Sequence, residues 1–367
     1  MLDFSVRTAT THTPEFLGLP HGAWAQEGGP EVAGEGIVIG FIDTGIDPTH
    51  PSFSDTLSIN HYPVPAHFSG ICEVTRDFPS GSCNRKLVGA RHFAASAIIR
   101  GMFNATQDYA SPFDGDGHGT FVLGLSSIKQ ALETAKNVSS VGVIFYMDPF
   151  VTGFHLNPIP MDMPGLIIPS TDDSKVFFDY YNSSLVRDEM SKSIIKYCGV
   201  ANILGGLKAN YSNTSPKVMY YSARGPDPED NSLADADIMK PNLIAPGNFI
   251  WGAWSSVGTD SAEFEGESFA MISGTSMAAP HIAGLAALIK QKFPSFSPSA
   301  IASALSTTAT LYDRQDGPIM AQRAYRNPDS NQSPATPFDM GSGFVNATAA
   351  LDPGLIFDTG QCNFANY

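Results

Sequence analysis

Residues 36–43 read GIVIGFID, and Thr44 and Gly45 follow directly. An uninterrupted apolar run of this length is typical of a strand that is buried on both faces, as in a parallel sheet covered by helices. Functional groups gather at the carboxyl ends of strands in open α/β sheets, which makes Asp43 the first candidate functional residue. The sequence therefore predicts an α/β fold that contains a parallel sheet.

Two further motifs contain residues suited to nucleophilic chemistry. The first is DGDGHGT at 114–120, which contains His118, and the second is SGTSMAAPH at 273–281, which contains Ser276. Residues 277–290 are apolar on every side, which predicts a helix buried in the centre of a domain. Ser276 would lie at the N-terminus of that helix.

Taken alone, each residue has an ordinary interpretation: Asp43 as a turn residue, His118 as an exposed histidine and Ser276 as a helix N-cap. Together, and in this order along the chain, the three motifs resemble those of the subtilase family of serine endopeptidases. The resemblance implies that Ser276 is the nucleophile, that His118 is its general base and later the general acid, and that Asp43 orients the imidazole. It also implies hydrolysis of peptide bonds in peptide or protein substrates, with no metal and no cofactor.

Other groups near these motifs have secondary roles. The backbone N–H of Ser276, at the positive end of the helix dipole, is implied as a donor of the oxyanion hole. Asp47 is the second candidate for the acid. His50 and His281 both lie close to prolines, and we interpret them as structural.

Further stretches resemble plant subtilases in particular: residues 11–19, 83–91, 221–226 and 240–241. The resemblance extends over nearly the whole chain and divides it into five parts. These are a propeptide remnant at 1–10, the first part of the catalytic domain at 11–120, a partial protease-associated domain inserted at 121–213, the second part of the catalytic domain at 214–358, and an atypical tail at 359–367.

The pattern breaks directly after the histidine motif. In the family, several βα units follow the histidine, and one of them carries an Asn side chain that completes the oxyanion hole. Here Thr120 runs straight into Phe121 and the predicted inserted domain, and the remaining interval before Ser276 is too short for those units. The resemblance implies an α/β fold with a subtilisin-like doubly wound parallel sheet, and we predict that an internal deletion after His118 leaves this sheet incomplete. We assign the missing Asn role to no other residue.

The function consequently has three open alternatives. The chain could be an Asp-His-Ser endopeptidase whose activity is weakened by the deletion. It could be a catalytically idle, subtilase-derived binding protein or a truncated splice product. It could also lack a stable fold.

The net charge disfavours two classes of binding partner, and the cysteine positions predict one disulfide. The formal charge of −15 disfavours nucleic acid and anionic membranes as partners, and no apolar run is long enough for a membrane-spanning helix. Cys72 and Cys83 enclose a short loop rich in Pro, Gly and Ser, which favours a disulfide over the alternative of two buried thiols.

Sequons indicate the secretory route. The favoured acceptors for glycosylation are Asn104, Asn137, Asn182, Asn210 and Asn346. The parent family is extracellular, in the cell wall and apoplast, whereas residues 1–7 do not have the pattern of a signal peptide. We therefore expect that this chain would not be exported unaided.

Local patterns add four secondary-structure expectations. A helix should begin at Ser126 or Ser127. Strands are expected at 141–146 and at 217–221, and a further short apolar segment lies at 165–168.

Overall fold

The computed structural model describes residues 12–55, 63–104, 106, 108, 110–116, 126–146, 161, 163–168, 171–203, 214–226, 239–259, 264–325 and 328–359. The α-helices are α1 (Thr13–Phe16), α2 (Ala23–Gln26), α3 (Ala95–Ile99), α4 (Ser126–Asn137), α5 (Thr171–Ser183), α6 (Thr275–Lys292), α7 (Pro298–Thr307) and α8 (Pro337–Met340). The strands are β1 (Val143–Tyr146), β2 (Gly165–Ile168), β3 (Leu185–Arg187), β4 (Ile194–Tyr197), β5 (Lys217–Val218), β6 (Ile250–Ala253), β7 (Phe269–Ile272), β8 (Met320–Gln322) and β9 (Gln332–Pro334). Short 3₁₀ turns lie at Pro51–Phe53, Pro328–Ser330 and Ala349–Leu351.

The largest apolar core lies around the C-terminal half of α6. Leu288 and Ile289 pack there with α7, with β5 and β8, and with the 3₁₀ turn at Ala349–Leu351. Helix α7 begins sharply because Ser297 accepts a hydrogen bond from the N–H of Ala300 and Pro298 occupies the first helical position. This packing fixes α6, the helix that carries Ser276.

The described strands form four small sheets. Strands β1 and β2 pair in parallel, β3 and β4 pair antiparallel, and β6 and β7 pair antiparallel. The fourth sheet has the order β5-β8-β9, with β5 parallel and β9 antiparallel to β8. Among the described residues there is thus a mixture of helices and small sheets rather than the predicted doubly wound parallel sheet.

The region at 126–203 has a small cluster of its own. Leu132 of α4 is buried against side chains of β1 and β2, such as Val143 and Ile167. Helix α4 is described from Ser126 onward, in the position where the sequence predicts a helix, and β2 coincides with the apolar segment at 165–168. The hairpin of β3 and β4 exposes most of its side chains.

The predicted buried strand at 36–43 is not formed. Residues 37–42 have no regular secondary structure, and their apolar side chains face solvent, with Phe41 68% exposed and Ile42 99% exposed. A strand persists only where neighbouring strands accept its backbone hydrogen bonds and other elements cover its faces. The described residues provide no such neighbours for this segment.

Two other expectations need correction for a related reason. The prediction of a helix buried on every side is wrong for the N-terminal half of α6, where Ser276, Ala279 and Pro280 are exposed. Strand β5 extends over only Lys217–Val218 and not to residue 221, and it is paired on one side by β8. The apolar pattern of α6 suits a helix covered by a larger sheet, and the apolar pattern of residues 217–221 suits a longer strand within such a sheet.

Candidate active site

Ser276 is presented by a tightly fixed turn between a strand and a helix. Strand β7 is largely buried and pairs with β6 before the chain turns at Ser273 and Gly274. The Ser273 hydroxyl accepts a hydrogen bond from the N–H of Phe249 at 2.8 Å, and the N–H of Gly274 donates to the carbonyl of Gly247 at 2.8 Å. Ser276 is consequently the second residue of α6 and exposed to solvent.

The first turn of α6 offers backbone donors beside Ser276. The first N–H groups of a helix have no partner within the helix, and the helix dipole places partial positive charge there. The N–H of Met277 is already used, because it donates to the carbonyl of Gly274 at 3.1 Å, so the predicted donor remains the N–H of Ser276. The arrangement suits stabilisation of a negative oxygen next to the Ser276 hydroxyl.

Asp43 lies in an exposed turn that contacts the segment before His118. The Asp43 carboxylate accepts a hydrogen bond from the N–H of Thr44 at 2.8 Å, and the Thr44 hydroxyl donates to the Asp114 carboxylate at 3.0 Å. Ile46 and Phe113 form a parallel bridge next to this contact.

Gly45 makes that close approach possible. Its φ is +145°, and a Cβ at this position would lie 2.8 Å from the Asp114 backbone. Only glycine combines this conformation with such a short distance. The DTG pattern after the apolar run therefore has a local structural reason in addition to any catalytic one.

The same segment is joined to the loop that follows β6. The Ser255 hydroxyl donates to the carbonyl of Asp114 at 2.7 Å, and Ser255 is buried. The structure thus brings together the Asp43 turn, the residues just before His118, and the β6–β7 hairpin that leads to Ser276. His118 itself lies outside the described residues.

His50 supplies a second link between these parts. Its Nδ1 accepts a hydrogen bond from the N–H of Ser52 at 3.1 Å, so its Nε2 carries the proton and donates to the carbonyl of Ser268 at 2.6 Å. The ring is buried and lies edge-on to Phe269, with 4.7 Å between ring centroids. These contacts agree with a structural role for His50.

The other secondary candidates also have local partners. Asp47 is buried, and its carboxylate accepts hydrogen bonds from the backbone and the hydroxyl of Thr49. The Nδ1 of His281 lies 2.8 Å from the carbonyl of Met277, one helical turn earlier. These contacts give Asp47 and His281 local structural roles.

The predicted disulfide is formed, and the described glycosylation acceptors lie on the surface. Cys72 and Cys83 are joined by a disulfide, with 6.1 Å between their Cα atoms. The acceptors at Asn104, Asn137, Asn182 and Asn346 are exposed, while Asn210 lies outside the described residues. In the sequon at Asn104, the Thr106 hydroxyl donates to the side-chain Oδ1 of Asn104 at 2.8 Å.

A buried ionic network supports the C-terminal core and was missed at the sequence level. Asp339 is almost fully buried and accepts hydrogen bonds from both terminal nitrogens of Arg323, at 2.6 and 2.8 Å, while Arg224 Nε lies 2.8 Å away. Burial opposes ionisation of Asp339, but the hydrogen bonds from Arg323 and Thr336 outweigh it and hold its pKa at about 2. Arg224 is in a stretch that the family resemblance singled out, but nothing in the sequence pairs it with Asp339.

A groove of about 950 Å³ adjoins the site. It lies between the β5 segment and residues 243–247, and Gly274 and Thr275 form part of its wall. Tyr221 hydrogen-bonds the side chain of Asn248 at 3.0 Å in this wall, and burial raises the pKa of that phenol. Most of the remaining lining is apolar.

Metal binding and membrane insertion each need a feature that the described residues do not provide. In the part of the chain that the structure describes, three or more His, Cys, Asp or Glu side chains never converge as a metal site would require. Within the same residues, every helix is too short or too polar to cross a membrane.

Comparison with known proteins relates the chain to plant proteases. A family model described as "Subtilase family" matches residues 133–343. The chain is 47% identical to subtilisin-like protease SBT2.2 of Arabidopsis thaliana, over 98% of this chain and 66% of that protein. It is 46% identical to subtilisin-like protease SBT2.3 of the same plant, over 98% of this chain and 67% of that protein.

The lengths of these alignments are informative. The alignment with SBT2.2 extends over 567 residues, although this chain has only 367, so about 200 aligned positions have no counterpart here. An internal deletion would produce a gap of this size.

Two solved structures also show similarity. One is fervidolysin from Fervidobacterium pennivorans, with 28% identity over 32% of this chain and 16% of that chain and a TM-score of 0.23. The other is MycP1 without its propeptide, with 15% identity over 95% of this chain, 98% of that chain and a TM-score of 0.30. On the family model and the Arabidopsis relatives, the chain belongs to the subtilase family.

Proposed function

We propose that Asp43, His118 and Ser276 form the triad of a serine endopeptidase and that the deletion weakens its activity in this chain. The observation that carries the proposal is the position of Ser276, exposed at the start of α6 on a turn held by one backbone hydrogen bond and by one hydrogen bond to the Ser273 hydroxyl. The contacts from the Asp43 turn through Asp114 to Ser255 support it, because they join the first two motifs to the hairpin of the third.

The proposed reaction proceeds through an acyl-enzyme. His118 takes the proton of the Ser276 hydroxyl as the oxygen attacks the scissile carbonyl carbon, and the carbonyl oxygen becomes negative. The backbone N–H of Ser276 stabilises that oxygen. His118 then donates its proton to the leaving amine as the C–N bond breaks. In the second half, His118 takes a proton from water as the water oxygen attacks the acyl carbon, and it returns that proton to Ser276 as the ester bond breaks and the acid product leaves. Asp43 holds the imidazole in the required tautomer.

Two deficits account for the proposed loss of activity. The Asn side chain of the oxyanion hole belongs to the segment that we infer to be deleted, and losing this donor costs about 10²–10³ in turnover, a figure obtained with subtilisin, a member of the same family. Asp43 also lies at the end of an apolar segment that is not paired as a strand. Catalytic groups need support to about 0.5 Å, and this segment gives Asp43 less support than a sheet would.

A second function competes with the first. A catalytically idle, subtilase-derived binding protein is favoured by one observation, the solvent-facing apolar side chains of residues 37–42. Large exposed apolar side chains in a row mark surfaces for interaction.

A fluorophosphonate probe separates the two functions, because it reacts only with an activated serine. We expect labelling of the chain and of Ser193→Ala, which removes an exposed serine of the β3–β4 turn, but no labelling of Ser276→Ala. Absence of labelling in folded chain would contradict the protease proposal and favour the idle binding protein. Labelling without cleavage of peptide libraries would place the defect in substrate binding.

The domain assignment and the cellular route are part of the proposal. We assign residues 121–213 to a partial protease-associated domain, supported by the separate cluster around Leu132. We also assign the protein to the secretory route, supported by the disulfide and by the exposure of four described acceptors. After expression behind a heterologous signal sequence, a glycosidase should reduce the mass of the chain, and an unchanged mass would contradict this assignment.

A further inference from the structure

The apolar segment 36–42 is held at both ends, and its exposure to solvent increases towards Phe41 and Ile42. Before it, the N–H of Gly34 donates to the side chain of Gln291 at 2.7 Å, and Gln291 donates back to the carbonyl of Val32 at 2.8 Å. After it, the N–H of Ile46 donates to the carbonyl of Pro112 at 2.9 Å. We call residues 36–42 the donor segment.

The donor segment has a composition that favours pairing as a β-strand. It contains no charge and no proline and is rich in β-branched and aromatic residues, while Glu35 and Asp43 flank it. Short segments of this kind pair readily with other backbones when they are exposed. In this structure Phe41 and Ile42 are among its most exposed side chains.

The groove next to α6 has complementary properties, and we call it the acceptor groove. On one wall, Ile244 uses its N–H and carbonyl to pair with Gly343 and Val345, so the backbone groups of Leu243 and Ala245 point to the opposite side. On the other wall, β5 is paired with β8 along one edge. An extended chain therefore has two backbone edges that it can approach.

Charge distinguishes the groove from the rest of the surface. The whole chain has a formal charge of −15, yet the charged residues in the groove lining are Lys217 and Lys240. The flanks of the donor segment, Glu35 and Asp43, have the opposite sign. An apolar strand with acidic ends thus matches an apolar groove with basic residues.

We propose that the donor segment of one copy of this chain lies in the acceptor groove of a second copy. The strand gains backbone hydrogen bonds and covers its apolar side chains, in the manner of strand addition to an exposed sheet edge. Because the donor and the acceptor are different surfaces, the contact is heterologous, and one copy can donate and accept at the same time. The proposal concerns assembly and does not depend on proteolysis.

Substitutions on each side test the proposal without disturbing the core. Ile42→Lys places a charge in the donor segment at a side chain that is 99% exposed, so the stability of the folded monomer should change little. Ala279→Glu places bulk and negative charge in the groove at an exposed helical position, where Glu is a good helix former. Met190→Lys is the matched control, because Met190 is 97% exposed on the β3–β4 hairpin, away from both surfaces.

Sedimentation velocity over a range of micromolar concentrations gives the readout, with circular dichroism to verify folding. We expect the chain and Met190→Lys to self-associate and each of the other two variants to remain monomeric. An equal mixture of Ile42→Lys and Ala279→Glu should form a dimer and nothing larger, since one variant retains the groove and the other retains the donor segment.

Three results would overturn the proposal. The first is a chain that is monomeric at every concentration. The second is Ala279→Glu associating as strongly as the unmodified chain, which would indicate edge-to-edge pairing of two donor segments or another surface. The third is a mixture of the two variants that stays monomeric.

Discussion

The region that holds Ser276 and the region that holds Asp43 differ in how they are supported. Around Ser276, α6 continues into a core in which Ile289 is 1% exposed, and the hairpin of β6 and β7 fixes the turn before the helix. Around Asp43, the preceding apolar run has no strand partners, and Ile42 is 99% exposed.

The difference shows that the motifs of a triad and the scaffold of a triad are separable. Residue types at the correct positions are retained in both regions, but a triad needs its groups fixed relative to one another. Among the described residues, the core around α6 combines buried packing with a satisfied ionic network, whereas the apolar run before Asp43 has neither. Four predictions test this contrast, in order of decreasing effect.

The ionic network should make the largest contribution. Asp339→Ala removes the buried carboxylate and leaves Arg224 and Arg323 without their shared partner, so the free energy of unfolding should fall by about 3–5 kcal/mol. Urea denaturation followed by tryptophan fluorescence measures this. The control Asp352→Ala, at an exposed carboxylate, should change stability by less than about 0.5 kcal/mol. Equal losses in the two variants would contradict a special role for the buried network.

The same substitution in both regions gives the most direct comparison. Ile289→Ala should lower the free energy of unfolding by about 2–5 kcal/mol, because it leaves a cavity in a close-packed core. Ile42→Ala should change it by less than about 0.5 kcal/mol, because its side chain is already in water. Chemical denaturation of the two variants under identical conditions measures both. Comparable losses would show that Ile42 is packed in solution and would remove the contrast.

The disulfide should stabilise the Asp43 region more than the Ser276 region. Replacing both Cys72 and Cys83 by Ser releases a loop closed over a sequence separation of 11, which should cost about 2–3 kcal/mol. Hydrogen exchange should show faster opening of residues 63–104, with little change in α6 and α7. Equal acceleration in both places would mean that the two regions unfold as one unit.

Acid should weaken the Ser276 region through Asp339. Its pKa is lower in the folded protein, about 2 against an ordinary value of 3.8, so its contribution is complete above about pH 4 and is lost as the pH falls towards 2. The loss amounts to about 2 kcal/mol. Unfolding measured between these pH values should have a shallower pH dependence in Asp339→Asn, and identical slopes would contradict this assignment.

Several features could be predicted because they depend on short stretches of sequence. Helix α4 lies where the apolar periodicity after Ser126 and Ser127 predicts a helix, β1 falls within the strand predicted at 141–146, and the pairing of Cys72 with Cys83 agrees with their spacing. The motif around Ser276 indicated the family, which the comparisons show independently.

Other features could not be predicted because they depend on distant residues. The Arg224–Asp339–Arg323 network joins side chains that are remote in the sequence. The exposure of residues 37–42 reverses what their pattern predicts, because burial depends on the presence of neighbours rather than on hydrophobicity alone.

The sequence by itself determined the family and the order of the Asp43, His118 and Ser276 motifs, and it predicts a break after the histidine. These depend on residue identity and spacing along the chain, which a gap elsewhere does not alter. The tertiary structure alone decided which motif rests on a packed scaffold. A strand or helix is stable only when other elements satisfy its backbone and cover its apolar surface, and here α6 has such partners along its C-terminal half whereas residues 36–43 do not.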